Sequence, residues 1–492
     1  MEITTTDPST LAIVIALVIV LADLSIRVLA VIYIPRNRRP QTAMAWLLAI
    51  FFIPYVGILL FLLIGSHRLP RKRRLRQKEA NAYIRDTTAG FDRVSHERPW
   101  PASLLPIVEL NRTLGAMPLV GGNSGDLYSD YDKTLVAMTE AVSSATEYVH
   151  VEFYILSLDK TTAPFFDALE AAVKRGITVR VLLDHIASLR STGYRHTIRR
   201  LDKIGVEWHL MLPVQPLRGK YQRPDLRNHR KLLVIDGRLA FTGSQNLIDS
   251  SYNKKGNIRR GLHWKDLMVR FEGPIVAGIN ALFVTDWYSE TGEALLREVD
   301  DWFPTLTREP LDAQVVPSGP GFPGENNLRL FNSLLYAATE KVIITSPYFV
   351  PDDSMLYAIT TAAQSGLDVE LFVSEVGDQF MVYHAQRSYY EQLLKAGVRI
   401  WLFPAPTVLH AKHFTIDDEI AVVGSSNMDM RSFSLNLEIS VMIRSREFVD
   451  DMRELEHSYR AISRELTLEE WMNRPRAGAI LDNIMRLTSA VQ

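Results

Sequence analysis

His229-Arg230-Lys231-Leu232-Leu233-Val234-Ile235-Asp236, closed after six intervening residues by Gly243-Ser244-Gln245-Asn246, recurs as His410-Ala411-Lys412-His413-Phe414-Thr415-Ile416-Asp417 and Gly424-Ser425-Ser426-Asn427. Six shared residues at fixed spacing arise by chance on the order of once in 10⁵ chains of this length. Two copies are not accidental. His and Lys two apart on a strand present both side chains to one face. The apolar run after them carries the strand into a core. Asp236-Gly237 is a strong hairpin-turn signal, and Asp417-Asp418 a weaker one. The return strand ends at Gly-Ser-x-Asn, where small residues let backbone approach a ligand and the amide can donate. Two such spots brought together would form a cationic pocket suited to a phosphate diester.

Working outward, the rest of the chain repeats with the motifs. Ala145-Thr146-Glu147 opens the strand Tyr148–Leu156, and Ala338-Thr339-Glu340 opens Lys341–Val350. Each is followed by a helical stretch, 165–175 and 354–365. Gly176 and Gly366 then end those helices before a buried strand. Gly205 and Gly397 precede a further strand in each half. Alternating strands and helices predict an α/β fold: two pseudo-symmetric lobes with mixed sheets flanked by helices. Phe303 to Asn327 is rich in Pro and Gly and reads as a linker. The expected map is a membrane anchor at 1–66, a basic linker at 67–100, lobe one at 101–302, the inter-lobe linker at 303–327 and lobe two at 328–492.

The N-terminal segment is of another kind. Leu11 to Ile34 is apolar except for Asp23, Ser25 and Arg27, and Thr42 to Ile64 is apolar throughout, with Pro54 and Gly57 inside it. Each run is long enough to cross roughly 30 Å of hydrocarbon as a helix, which predicts a transmembrane helical hairpin. Asp23 and Arg27 are spaced to pair within one turn. Arg36, Arg38 and Arg39 lie between the runs. The heavier basic flank, Arg68, Arg71, Lys72, Arg73, Arg74, Arg76 and Lys78, follows the second. By the positive-inside rule that flank puts the lobes in the cytoplasm, with the three loop arginines pulling the other way unless the hairpin is shallow. The same flank would attract anionic headgroups.

Composition narrows the function classes. A hydrophobic share of 47% with 23% charged residues is that of globular protein. A formal net charge of −1 gives no global case for nucleic-acid binding. The chain has no cysteine, which excludes disulfides and thiolate metal sites.

The duplicated HxKxxxxDxxxxxxGSxN pattern resembles the phospholipase D superfamily. Within it, the anchor and the Ser346–Asp352 strand are similar to bacterial cardiolipin synthases. The resemblance implies transfer of a phosphatidyl group between two phosphatidylglycerol molecules, with release of glycerol, through a phosphohistidine. It implies His229 as nucleophile and His410 as acid and base, with Lys231 and Lys412 on the nonbridging oxygens. Asn246 and Asn427 would add donors, and Ser244 and Ser425 would shape the phosphate-binding turn. A carboxylate downstream of each motif orients a histidine in this superfamily, a role that falls on Asp266 and Glu438. Asp236 and Asp417 read as turn formers.

Glu152 and Tyr154, opposite Ser346 and Tyr348, are candidates to line the pocket. Arg218, Lys220, Arg223 and Arg227, with Lys254, Lys255, Arg259 and Arg260, are candidates to face an anionic lipid surface. His413 faces away from His410 and reads as packing. His150, His185 and His384 lack metal-ligand partners at useful spacing. The mechanism needs no metal or other cofactor, because lysines supply the positive charge. Expected partners are phosphatidylglycerol and anionic lipids of a bacterial membrane, without nucleic acid; a homo-oligomer is left open. The competing readings are a hydrolytic phospholipase D or transfer to another alcohol, a membrane-bound nuclease, and a noncatalytic relative.

Overall fold

Each motif aspartate closes a hairpin and ties it to the repeated Ala-Thr-Glu segment. Asp236 accepts from the backbone N–H of Thr146, Glu147 and Tyr148 at 2.8–2.9 Å, and from the Thr146 hydroxyl. Asp417 does the same for Thr339, Glu340 and Lys341. Both aspartates sit at positive φ, 52° and 48°, which Asp tolerates better than most residues. Burial acts to raise both carboxyls, but these donors hold them below the ordinary range.

These anchors set one long mixed sheet in the computed structural model, which describes residues 8–36, 38, 40–65, 69–89, 99–295, 311–322 and 324–489. From its centre, half one runs Leu119–Tyr128, Met268–Glu272, Leu239–Gly243, Lys231–Ile235, Tyr148–Phe153, Thr178–Asp184 and Glu207–Met211. Half two repeats that order outward from Leu311–Ser318: Asn436–Arg444, Ile420–Gly424, His413–Ile416, Lys341–Thr345, Asp368–Ser374 and Arg399–Phe403, with Arg464–Leu466 as an extra edge. The outer three strands of each half are parallel, as strand–helix–strand crossovers require. The halves join where Leu119–Tyr128 pairs antiparallel with Leu311–Ser318.

The middle of the expected inter-lobe linker is therefore a central strand, with every residue of Leu311–Ser318 buried. Its Pro317 and the glycines beyond it mask the strand pattern; residues 303–310 lie outside the described residues. The chain divides into two units, Met1–Arg68 and Leu69–Gln492, so both halves belong to one body.

The basic linker is also part of that body. Arg71–Thr87 is a helix, and Arg73 is buried in ion pairs with Glu290 and Asp286. Arg76 donates to the carbonyls of Tyr288 and Ser289. Arg71, Lys72, Arg74 and Lys78 stay exposed. Arg39 and Arg68 lie outside the described residues.

In the first unit, Leu11–Tyr33 is a 23-residue apolar helix, long enough to cross a membrane. The second apolar run is not one continuous helix. It breaks at Ile53 into helices Pro40–Phe52 and Pro54–Ile64, of 13 and 11 residues. At 1.5 Å per residue neither exceeds about 20 Å. Proline at 54 interrupts the hydrogen-bond ladder. Gly57 then lets the second arm fold onto the first, since a Cβ there would lie 2.8 Å from the Ala49 carbonyl oxygen. Trp46 meets Phe61 edge-on at 5.4 Å, and Arg38 donates to the carbonyls of both Ile34 and Gly65. The run is a short helical hairpin whose two ends lie together. Asp23 and Arg27 pair at 2.8 Å, and Arg27 also covers the Phe51 ring.

Candidate active site

His229 and His410 each follow a two- or three-residue strand that pairs with the other half of the molecule. Arg227–Asn228 runs parallel to Asn436–Leu437, and Thr407–Leu409 runs parallel to His263–Lys265. The His229 N–H donates to the Leu437 carbonyl at 2.9 Å, and the His410 N–H to the Lys265 carbonyl at 2.7 Å. The next residue on each partner strand is a carboxylate. His229 Nδ1 lies 3.0 Å from both Glu438 oxygens, and His410 Nδ1 lies 2.7 Å from Asp266 Oδ1. Each histidine is thus oriented by the carboxylate of the opposite half. A carboxylate at Nδ1 holds the proton there and leaves the Nε2 lone pair free.

The motif glycines and serines serve this crossing. A Cβ on Gly243 would lie 2.3 Å from the Leu267 carbonyl oxygen, and on Gly424 2.2 Å from that of Ile439. Only glycine lets the carboxylate-bearing strand pass so close. The glycines therefore admit a strand rather than a ligand. The serine hydroxyls are likewise engaged behind the site. Ser244 Oγ donates to Asp266 at 2.7 Å and accepts from the Leu267 N–H; Ser425 does the same with Glu438 and Ile439. Both hydroxyls are fully buried, holding the turn from behind.

Burial depresses the His229 imidazole to about 4, against Glu438 and with help from the Lys231 charge. His410 is lowered in the same way, by burial and then by Lys412. Burial also drives Lys231 well below its ordinary range and brings Lys412 down to about 8, despite the pull of Glu438 and Asp266. Each lysine Nζ donates to the carbonyl of its own histidine at 2.6 Å. His229 and Lys231 also feel Lys412, and His410 feels Lys231, as groups around one site must. Burial acts to raise Glu438 and Asp266, but the imidazoles, lysines and serines together keep both ionised. The result is a buried, cation-rich pocket with two neutral imidazoles.

The remaining expectations separate by burial. Tyr154 stacks edge-on against His229 at 4.8 Å and Tyr348 approaches His410 at 6.4 Å, so both face the site. Glu152 and Ser346 do not. Glu152 is fully buried and accepts from Asn228 at 2.9 Å, and the Ser346 hydroxyl donates to the Tyr348 carbonyl. The Asn246 amide donates to Tyr252 at 2.8 Å and its oxygen accepts from the Ile155 N–H. Asn427 Oδ1 has no hydrogen-bond partner among the described residues. Arg227 is buried against Asp184 at 3.1 Å rather than facing lipid. Arg218, Lys220, Lys254, Lys255, Arg259 and Arg260 are exposed. His413 packs at 3.5 Å from Glu456, away from the site.

Three contributors carried no signal in the sequence. Tyr252 approaches His410 at 6.5 Å, and Asp378 accepts from the Tyr348 hydroxyl at 2.8 Å. Arg230, the variable residue inside the first motif, is buried; it pairs with Asp286 and donates to the Glu438 carbonyl at 3.1 Å. Its identity with the position of Ala411 in the second motif gave no reason to single it out.

Known proteins place this geometry in a family. The family description "Cardiolipin synthase, PLD-like domain" matches residues 138–272 and 331–458, and "Phospholipase_D-nuclease N-terminal" matches 25–66. Cardiolipin synthase A of Proteus mirabilis is 33% identical over 454 residues, covering 91% of this chain and 92% of the relative. That of Pectobacterium carotovorum is 33% identical over 474 residues, 95% of each chain. That of Yersinia pestis bv. Antiqua is 34% identical over 466 residues, 93% of each. The crystal structure of Haemophilus influenzae phosphatidylserine synthase superposes with a TM-score of 0.59 at 13% identity, over 78% of this chain and 99% of its own, a likeness of fold. With more than nine-tenths of its length shared with those relatives and both halves matched to the same domain, the chain belongs to the cardiolipin synthase family of phospholipase D-like, membrane-associated phosphatidyltransferases.

Proposed function

We propose that the protein is a cardiolipin synthase that moves a phosphatidyl group from one phosphatidylglycerol to the glycerol hydroxyl of a second. The observation that supports it is the crossed pair of carboxylate-bound imidazoles, each with Nε2 free, flanked by two lysines. His229 Nε2 attacks phosphorus and the bond to the glycerol oxygen breaks, with the departing oxygen taking a proton from His410. The free enzyme holds His410 neutral. The bound diester's negative charge favours the protonated form that this step needs. The phosphohistidine ring carries positive charge opposite Glu438. The second phosphatidylglycerol hydroxyl then gives its proton to His410 and attacks phosphorus, the P–N bond breaks, and His229 is restored. Lys231, Lys412 and Asn427 hold the nonbridging oxygens. Mass spectrometry of the purified enzyme on phosphatidylglycerol vesicles tests this: cardiolipin and glycerol should form in equal amounts. Phosphatidic acid as the main product would make it a hydrolase.

The catalytic body lies on the cytoplasmic side of the membrane. One span followed by a re-entrant hairpin puts Arg36 and Arg38 on the side of the membrane where the hairpin ends at Gly65, the side that the following basic flank marks as cytoplasmic. The N-terminus is then on the outer face, and the protein crosses once. Because the chain has no cysteine, a single cysteine at Thr4 reports its side: a membrane-impermeant maleimide should label it in intact cells.

A further inference from the structure

We propose that the outward face of the C-terminal helix Arg476–Arg486, together with Phe380 and Met381, seats the catalytic body on the surface of an anionic phospholipid bilayer. This helix turns its one carboxylate and Met485 inward and leaves three large apolar side chains outward, unlike an ordinary surface helix. Its one carboxylate, Asp482, is fully buried and holds His384 at 2.7 Å and Arg387 at 3.4 Å. That inward clamp sets the helix rotation. Ile480, Ile484 and Leu487, at one helical spacing, are consequently 60%, 49% and 84% exposed. The clamp residue His384 also meets Phe380 at 4.5 Å, so the stripe continues onto the Phe380–Arg387 helix, where Phe380 and Met381 are exposed.

A stripe of five large apolar side chains needs a cover. Its position says which. Phe380 directly follows Asp378 and Gln379, both bonded to the Tyr348 hydroxyl, and the Tyr348 ring faces His410. The stripe therefore borders the site. Its charge is cationic: the helix exposes Arg476 and no acidic side chain. On the reading proposed above, which this inference rests on, the substrates are diacyl lipids. Their acyl chains stay in the bilayer while only the headgroup reaches the pocket, so the rim of the site must touch the membrane surface. Apolar residues beside a cation are what such an interface binds.

The cysteine-free chain makes the test direct. Full-length protein carrying Ile484→Cys with an environment-sensitive dye is placed in phosphatidylglycerol–phosphatidylcholine proteoliposomes. Lipids with a nitroxide near the headgroup should quench that dye at least twofold and leave a Lys174→Cys label unchanged. A companion variant, Ile480→Asp/Ile484→Asp/Leu487→Asp, should lose at least tenfold in transfer on vesicles and keep its rate on short-chain phosphatidylglycerol dispersed as monomers. An unquenched Ile484→Cys dye, or dye–dye contact between copies in its place, overturns the proposal. So does an equal loss on both substrate forms. If wild type makes no cardiolipin from either form, the functional reading fails, while quenching still decides the docking surface.

Discussion

Replacing Glu438 by Gln should disable His229, although the two residues belong to different halves of the chain. The side chain keeps its size and its place in a fully buried position, so the fold should survive. What disappears is the negative charge 3.0 Å from His229 Nδ1. A hydrogen bond to a charged acceptor contributes about 1.5–3 kcal/mol. The ring becomes cationic once Nε2 bonds phosphorus, so the transition state loses more, about 2–4 kcal/mol. That is about 30- to 1000-fold in the first step. The assay is acid-quenched enzyme digested and searched for the phosphatidyl adduct on the His229 peptide. Glu438→Gln should form it slowly, and adding His229→Gln should abolish it, because the imidazole that bonds phosphorus is then gone. Asp266→Asn, which acts on His410, should leave an adduct that is slow to turn over. The reverse pattern, with Asp266→Asn blocking the adduct and Glu438→Gln letting it accumulate, would refute the crossed pairing and with it the assignment of roles.

Burial of Lys412, with its ammonium lost at about pH 8, should give kcat/KM an alkaline limb at or below that pH, and Lys412→Arg should move the limb upward even if the rate falls. Gly424→Ala should cost about 1–3 kcal/mol by overpacking against the Ile439 carbonyl, and should impair adduct formation by displacing Glu438; denaturant melts and the adduct assay read the two effects. Asp236→Ala should lower stability by about 2–4 kcal/mol through the N–H groups of Thr146, Glu147 and Tyr148 that it leaves unpaired, while activity per folded molecule stays near wild type. His150 and His229 are held neutral in the fold, with their pKa lowered by burial to about 3 and about 4. The unfolded chain then binds more protons below pH 6.5, so stability should fall as pH drops from 6.5 toward 4. Melting temperatures across that range should show a shallower fall in His150→Gln.

The α/β class, the two-fold repeat and the twelve motif positions were legible because each rests on local rules. A His-x-Lys strand, an Asp turn and a closing Gly-Ser are set by spacing along a few residues. The Pro54–Gly57 break was visible as residue types, yet the apolar run around it satisfied the length rule for a span. Whether a proline bends a helix or reverses it depends on the packing of Trp46, Phe61 and Arg38, which no hydropathy window contains. The Leu311–Ser318 strand was hidden for a similar reason: its neighbours in the sheet, 119–128 and 436–444, are far away in the chain. Arg73 and Arg227 read as surface cations because a sequence shows charge and not the buried Asp286 and Asp184 that receive it.

The residues alone determined what chemistry the protein can carry: two imidazoles, two ammonium groups and two carboxylates, each at a set offset from a strand. Which carboxylate serves which imidazole was decided only when the halves closed on each other. Parallel pairing of 227–228 with 436–437, and of 263–265 with 407–409, puts Glu438 beside His229 and Asp266 beside His410. Those backbone bonds join segments well over a hundred residues apart, and contacts of that range leave no periodic trace in the order of amino acids.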